Sequence, residues 1–160
     1  MTTKSKGTHE YRAHLKWEGN HGDGTSGYGV YGRGFRIGIE GKADLVGSAD
    51  PVFRGDASKH NPEDLLLVAL SSCHMLSYLA LCARKGITVV EYTDEAEGVM
   101  TITPEGGGRF TAVTLHPKVS ILGQDKGALA LELHEQAHRE CFIANSCNFP
   151  VTHHAIITCQ

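Results

Sequence analysis

Two thiols flanked by histidines are the residues of this chain best suited to chemistry. Cys73 sits beside His74 in the middle of "NPEDLLLVALSSCHMLSYLALC", residues 61–82, and Cys141 closes "HEQAHREC". As a thiolate, cysteine is a nucleophile toward peroxides and disulfides and a ligand for soft metals. His134, His138 and Cys141 follow at i, i+4 and i+7, so on a helix they share one face and could ligate zinc. Packing is the plain alternative for the thiols, because free cysteine is among the most buried residue types. Exposure to solvent is the plain alternative for the two histidines. Cys82 cannot be the disulfide partner of Cys73: on a continuous helix it lies half a turn round and ~13 Å along the axis. Bridged Cα atoms must come within ~7 Å. Any partner therefore comes from the distal half of the chain, where Cys141 and then Cys147 are the candidates beside the terminal Cys159.

These side chains need elements to hold them. Asn61, Pro62 and the acidic pair Glu63 and Asp64 form a strong helix start. Arg84, Lys85 and Gly86 form a matching stop. The helix between is apolar nearly all round, which requires enclosure on more than one side and points to a partner subunit. A second helix is expected over about 126–142, ending near Cys141. "HEYRAHLKW" alternates as a half-buried strand. "YGVYGRGFRIGIEG" reads as a bent or bulged strand, and "ADLVGS" as a short third one. Two strands near 89–103 and 109–121 follow the first helix, and "FPVTHHAIITC" closes the chain as a single strand. The order βββ-α-ββ-α-β is an α+β arrangement rather than a doubly wound sheet. Residues 1–8 read as a flexible tail and 9–160 as a single domain, with no repeat or linker.

Composition narrows the function classes. A net charge of −3 with dispersed signs and no basic block argues against nucleic acid as partner. The polar start "MTTKSKGT" has no apolar stretch behind it, and no run approaches the ~18 apolar residues of a membrane span. Five cysteines, an odd number lying mostly inside elements, suit reduced thiols in the cytoplasm.

"NPEDLLLVALSSCHMLSYL" together with "AHRECFIANS" resembles the OsmC/Ohr family of peroxide-reducing proteins, and "GSADPVFRGD" before the helix is closest to an OsmC-like branch. The resemblance runs from the first strand to the last. It implies an intertwined homodimer with two central helices wrapped by sheets. It also implies a thiol peroxidase that reduces organic hydroperoxides to alcohols without a cofactor and is recycled by an external dithiol. Cys73 matches the peroxidatic cysteine and Cys141 the resolving one. Arg54 matches an arginine that stabilises the thiolate, and Glu63 the glutamate that orients it. A free thiol is only a few per cent ionised at neutral pH, so a guanidinium beside it has a stated purpose. Ten residues of continuous helix separate Glu63 from Cys73 by ~15 Å. Glu63 and Arg54 are therefore expected to serve the neighbouring subunit's thiol. The chain departs from the family pattern at Phe142 and Ala144, where Pro-x-Ser commonly follows the second cysteine, and at His74, where many members are apolar. Those departures leave room for a small-molecule or lipid-binding module without chemistry, and for Cys147 as the resolving thiol.

Overall fold

Asn61 opens the long helix as expected. In the computed structural model, which describes residues 7–160, helix α1 spans Pro62–Arg84. Asn61 Oδ1 accepts from the Asp64 N–H at 2.7 Å, and Asp64 Oδ2 accepts in return from the Asn61 N–H at 3.2 Å. This is a reciprocal cap with aspartate in the usual glutamate position. The other end closes on Gly86, whose φ of 66° glycine adopts at least cost. Gly86 N–H donates to Ala83 O at 3.1 Å and Ile87 N–H to Cys82 O at 2.9 Å, the paired bonds of a Schellman motif.

The chain divides inside this helix into two compact units, one ending at Leu65 and the other spanning Leu66–Gln160. No change of composition marks that point, which is why the sequence reading treats 9–160 as one domain. Residues 1–6 of the expected tail lie outside the described residues.

In the first unit, strands β1 (His14–Trp17), β2 (Phe35–Gly38) and β3 (Leu45–Gly47) form an antiparallel sheet in that order. β1 departs from the expected half-buried strand. Its alternation is real, but Leu15 is 66% exposed and Tyr11, just before it, 89% exposed.

The second unit corrects the expected strand count. Each of the three long strands is broken in two: β4 (Val89–Asp94) and β5 (Glu97–Ile102), β6 (Gly108–Leu115) and β7 (Pro117–Ile121), β8 (Val151–His153) and β9 (Ile156–Cys159). The pieces sort into two sheets, β4-β7-β9 and β5-β6-β8, each with one antiparallel and one parallel pairing. All three breaks fall at one level, and buried-side hydrogen bonds fix them there. Asp94 Oδ1 accepts from the His116 N–H at 2.6 Å, and Leu115 O accepts from the His154 N–H at 2.8 Å. Periodicity cannot reveal such a break, because apolar alternation continues through it. Helix α2, Gly127–Glu140, ends one residue before Cys141, which is already extended at φ −74° and ψ 105°.

Each sheet builds its own core. Val119 and Ile121 of β7 pack with Tyr78, Leu81 and Cys82 of α1 and with Ala130, Leu133 and Ala137 of α2. Val113 and Leu115 of β6 pack with Leu70 of α1 and Val151 of β8. The buried stripe of α1 runs Leu70, His74, Tyr78, Leu81, Cys82, at helical spacing. His74 therefore stands between the residue that enters one core and the residue that enters the other. Off the stripe most residues are half-buried, but Val68 and Leu76 are each 62% exposed. Its mean hydropathy of 1.9 over an 18-residue window meets the length and composition test for a membrane span, contrary to the sequence expectation. Within this chain the helix uses its stripe to join the two cores.

Candidate thiol site

Helix α1 presents Cys73 on the flank of its buried stripe, half-buried, while the stripe itself passes through His74. The abrupt end of α2 turns Cys141 inward until it is 1% exposed. Between these helices the two thiols come close enough to influence each other's ionisation, so the thiols on which the sequence reading rests are neighbours. Burial pushes the Cys141 thiol up to about 11, and the contact with Cys73 adds to that; the backbone N–H groups of Ala144 and Ile143 work the other way. The Ala144 N–H lies 3.5 Å from Cys141 Sγ. Phe142 and Ala144, the departures from the family pattern, belong to a short turn leading into a 3₁₀ helix at Ala144–Ser146. Asn145 N–H closes that turn onto Cys141 O at 3.0 Å, and Ser146 Oγ donates to Phe142 O at 2.7 Å. All five cysteines are free thiols. Cys147 packs against the second core, Cys82 is buried in the first, and Cys159 packs against the first.

Arg54 and Glu63 belong to the first unit. Arg54 is exposed and is the one described non-glycine residue at positive φ, 67°. Asp50 holds it there: its side chain accepts from Val52 N–H at 2.8 Å and its carbonyl from Gly55 N–H at 3.1 Å. No ion pair joins Arg54 to Glu63 among the described residues, so the expected pairing is not formed within the chain. Glu63 keeps one buried oxygen, Oε2, without a hydrogen-bond partner. The guanidinium lining the same cavity, of about 310 Å³, is that of Arg33, with Trp17, Tyr31 and Phe53. Arg33 lies 3.9 Å from the Tyr31 ring centre and 4.5 Å from that of Tyr28, and donates to the carbonyls of both residues. Sequence reasoning missed Arg33 because its stretch reads as a bent or bulged strand, whereas residues 28–34 lie in turn and loop and the strand begins only at Phe35.

The zinc alternative is not realised. His134 does not share an open face with His138 and Cys141: it is fully buried, its Nδ1 lies 3.0 Å from His74 Nε2, and its ring stacks on Tyr78 with centres 3.8 Å apart. Among the described residues no group of three or more His, Cys, Asp or Glu could hold a metal ion. Solvent exposure, the other expectation for this histidine, fails as well. His153, to which the sequence assigns no role, stands 5.3 Å from His74 and 5.8 Å from His134 between ring centres. It also pairs with the exposed Glu135 at 3.3 Å. Burial holds His74 at about 4 and His134 at about 3, and the neighbouring histidines push in the same direction. Both rings are therefore neutral near pH 7.

Residues 55–154 match the model of a family described as OsmC-like protein. The chain belongs to this family. A solved OsmC-like protein of unknown function from Vibrio cholerae is 30% identical, covering 93% of this chain and 100% of its own at a TM-score of 0.84. An organic hydroperoxide resistance protein from Elizabethkingia anophelis shares the fold at a TM-score of 0.70 and 18% identity, covering 98% of this chain and 100% of its own. The uncharacterized protein YmaD of Bacillus subtilis (strain 168) is 24% identical over 143 residues, 86% of each chain. The OsmC-like chain thus has the α+β fold expected of it.

Proposed function

We propose that this OsmC-like chain is a cysteine-based peroxidase that reduces organic hydroperoxides in the cytoplasm. The observation that carries this reading is the proximity of Cys73 and Cys141, near enough that each thiol affects the other's ionisation. Cys73 as thiolate attacks the distal oxygen of ROOH; the O–O bond breaks, alkoxide leaves and takes up a proton as ROH, and Cys73 becomes a sulfenic acid. Cys141 then gives up its proton and displaces hydroxide from that sulfur, which leaves as water once the proton is returned. A Cys73–Cys141 disulfide results, and an external dithiol restores both thiols by exchange. Cys141 is unsuited to the first step, since burial holds its thiol protonated near neutral pH.

The thiolate at Cys73 needs a cation, and we assign that role to a guanidinium of a partner subunit in a homodimer. Arg33 and Arg54 are the candidates; Arg33 is favoured by the cavity it shares with Glu63. The exposed apolar residues Val68 and Leu76 on α1 and Leu15 on β1 favour a second copy as cover. One experiment tests the reading. The reduced protein is treated with one equivalent of cumene hydroperoxide, alkylated and mapped by mass spectrometry. A Cys73–Cys141 link is expected; a Cys73–Cys147 link reassigns the resolving thiol, and five unchanged thiols remove the enzyme reading in favour of a binding module.

A further inference from the structure

His74 follows Cys73 on α1, and His134 lies two turns before Cys141 on α2. The 3.0 Å bond between their rings thus ties together the two helices that carry the two sulfurs. The rings lie nearly parallel, 7° apart, with centres 5.3 Å apart, and Tyr78 stacks on the far side of the pair at 12° to His134. Such a bond is directional, whereas the apolar contacts on either side tolerate sliding of one helix along the other. It is also costly to keep: His74 Nδ1 and His134 Nε2 are buried without a hydrogen-bond partner. An apolar pair of similar size would avoid that penalty. Nor do these rings serve as a general acid or base near neutral pH, since both are held neutral well below it.

We propose that the His74–His134 hydrogen bond is a clasp that fixes α1 against α2 in the register at which Cys73 and Cys141 meet, making His74 and His134 positioning residues for the bond between the two sulfurs. The inference rests on the thiol-pair part of the reading above and not on its peroxide chemistry, so the test uses no peroxide. The whole chain is equilibrated with reduced and oxidised glutathione: Cys73–SH, Cys141–SH and glutathione disulfide give the Cys73–Cys141 disulfide and two glutathione thiols. The oxidised fraction is counted by mass spectrometry after alkylation.

Glutamine places its amide where histidine has Nε2, and asparagine where it has Nδ1. H74Q/H134N therefore keeps both ends of the clasp, H74N/H134Q carries the same two side-chain types misplaced, and H74L/H134L removes the polarity. The matched pair is expected to hold the wild-type equilibrium constant within about twofold, while the swapped and leucine pairs lose roughly tenfold. Near-wild-type constants in the swapped pair overturn the proposal. So does an equal loss in the matched pair, or a wild-type chain that forms no Cys73–Cys141 disulfide in this buffer. Should the leucine pair fail to fold, the comparison of matched with swapped decides alone. A chain that shows the histidine dependence here but is inert to cumene hydroperoxide keeps the clasp and loses the peroxidase.

Discussion

Acidification from pH 7 to pH 5 should strip this fold of a large part of its stability through two side chains. Folded, His74 titrates at about 4 and His134 at about 3, against an ordinary value of 6.5. Burial is the first cause at both, and the groups facing them add to it: His153 from β8 faces both, and His138 from α2 faces His74. Tyr78 from α1, stacked on His134, brings no charge in this range. As pH falls through 6.5 the unfolded chain takes up two protons that the folded chain refuses, so stability is fully present above that value and is lost below it. At pH 5 each ring has cost about 2 kcal/mol relative to pH 7, or about 4 kcal/mol for the pair. A domain of this size has roughly 5–15 kcal/mol in total. Urea unfolding at pH 7, 6 and 5, run side by side on wild type and H74L/H134L, measures the difference. The leucine pair should lose only what the remaining groups contribute, leaving a gap between the two slopes that widens below pH 6.5. Parallel curves would show that the rings titrate normally, and the argument from their burial would be wrong.

The other expectations are smaller or more local. Cys141→Ser should stop the peroxide reaction at Cys73, so that one equivalent of cumene hydroperoxide leaves a one-oxygen adduct on that peptide in place of a disulfide. Asn61→Ala removes one half of the reciprocal cap on α1 and should cost about 1 kcal/mol in urea unfolding, with no change in the glutathione equilibrium of the thiols. Gly86→Ala forces a side chain into the left-handed turn that closes α1 and should cost roughly 1 kcal/mol by the same assay. Arg33→Ala should slow consumption of cumene hydroperoxide by at least about tenfold if its guanidinium is the cation at the thiolate; equal rates, with a slow Arg54→Ala, return the role to Arg54.

How much of this was legible in the sequence differs between helices and strands. Asn61, Pro62 and Gly86 located α1 to within a residue or two, because caps depend on local backbone chemistry that residue type reports directly. The strands were not so readable. Residues 89–102 alternate well enough to pass for one strand, and so do 108–121, yet each changes sheet in the middle. What breaks them is a long-range bond, Asp94 to the His116 backbone, between residues 22 apart in sequence. The exposed face of β1 failed for the opposite reason: alternation reports a face that wants cover, whereas Leu15 and Tyr11 are left exposed.

The candidate site divides along the same line. Cysteine spacing along α1 excluded Cys82, and that geometry is internal to one helix. The histidines required two helices and a strand at once. His74 was read as an intrusion into an apolar helix and His134 as one of a solvent-facing pair, both sensible for single elements. Their meaning comes from position: Leu70 enters one core, Tyr78 the other, and His74 occupies the one place on the stripe between them. There His134 and His153 arrive from α2 and β8 to meet the His74 ring. A purely apolar residue at position 74 would join the cores without fixing their register. The signal that could have been used was present: a histidine four residues from both Leu70 and Tyr78 is on the buried stripe whatever its polarity, and a buried imidazole demands a partner.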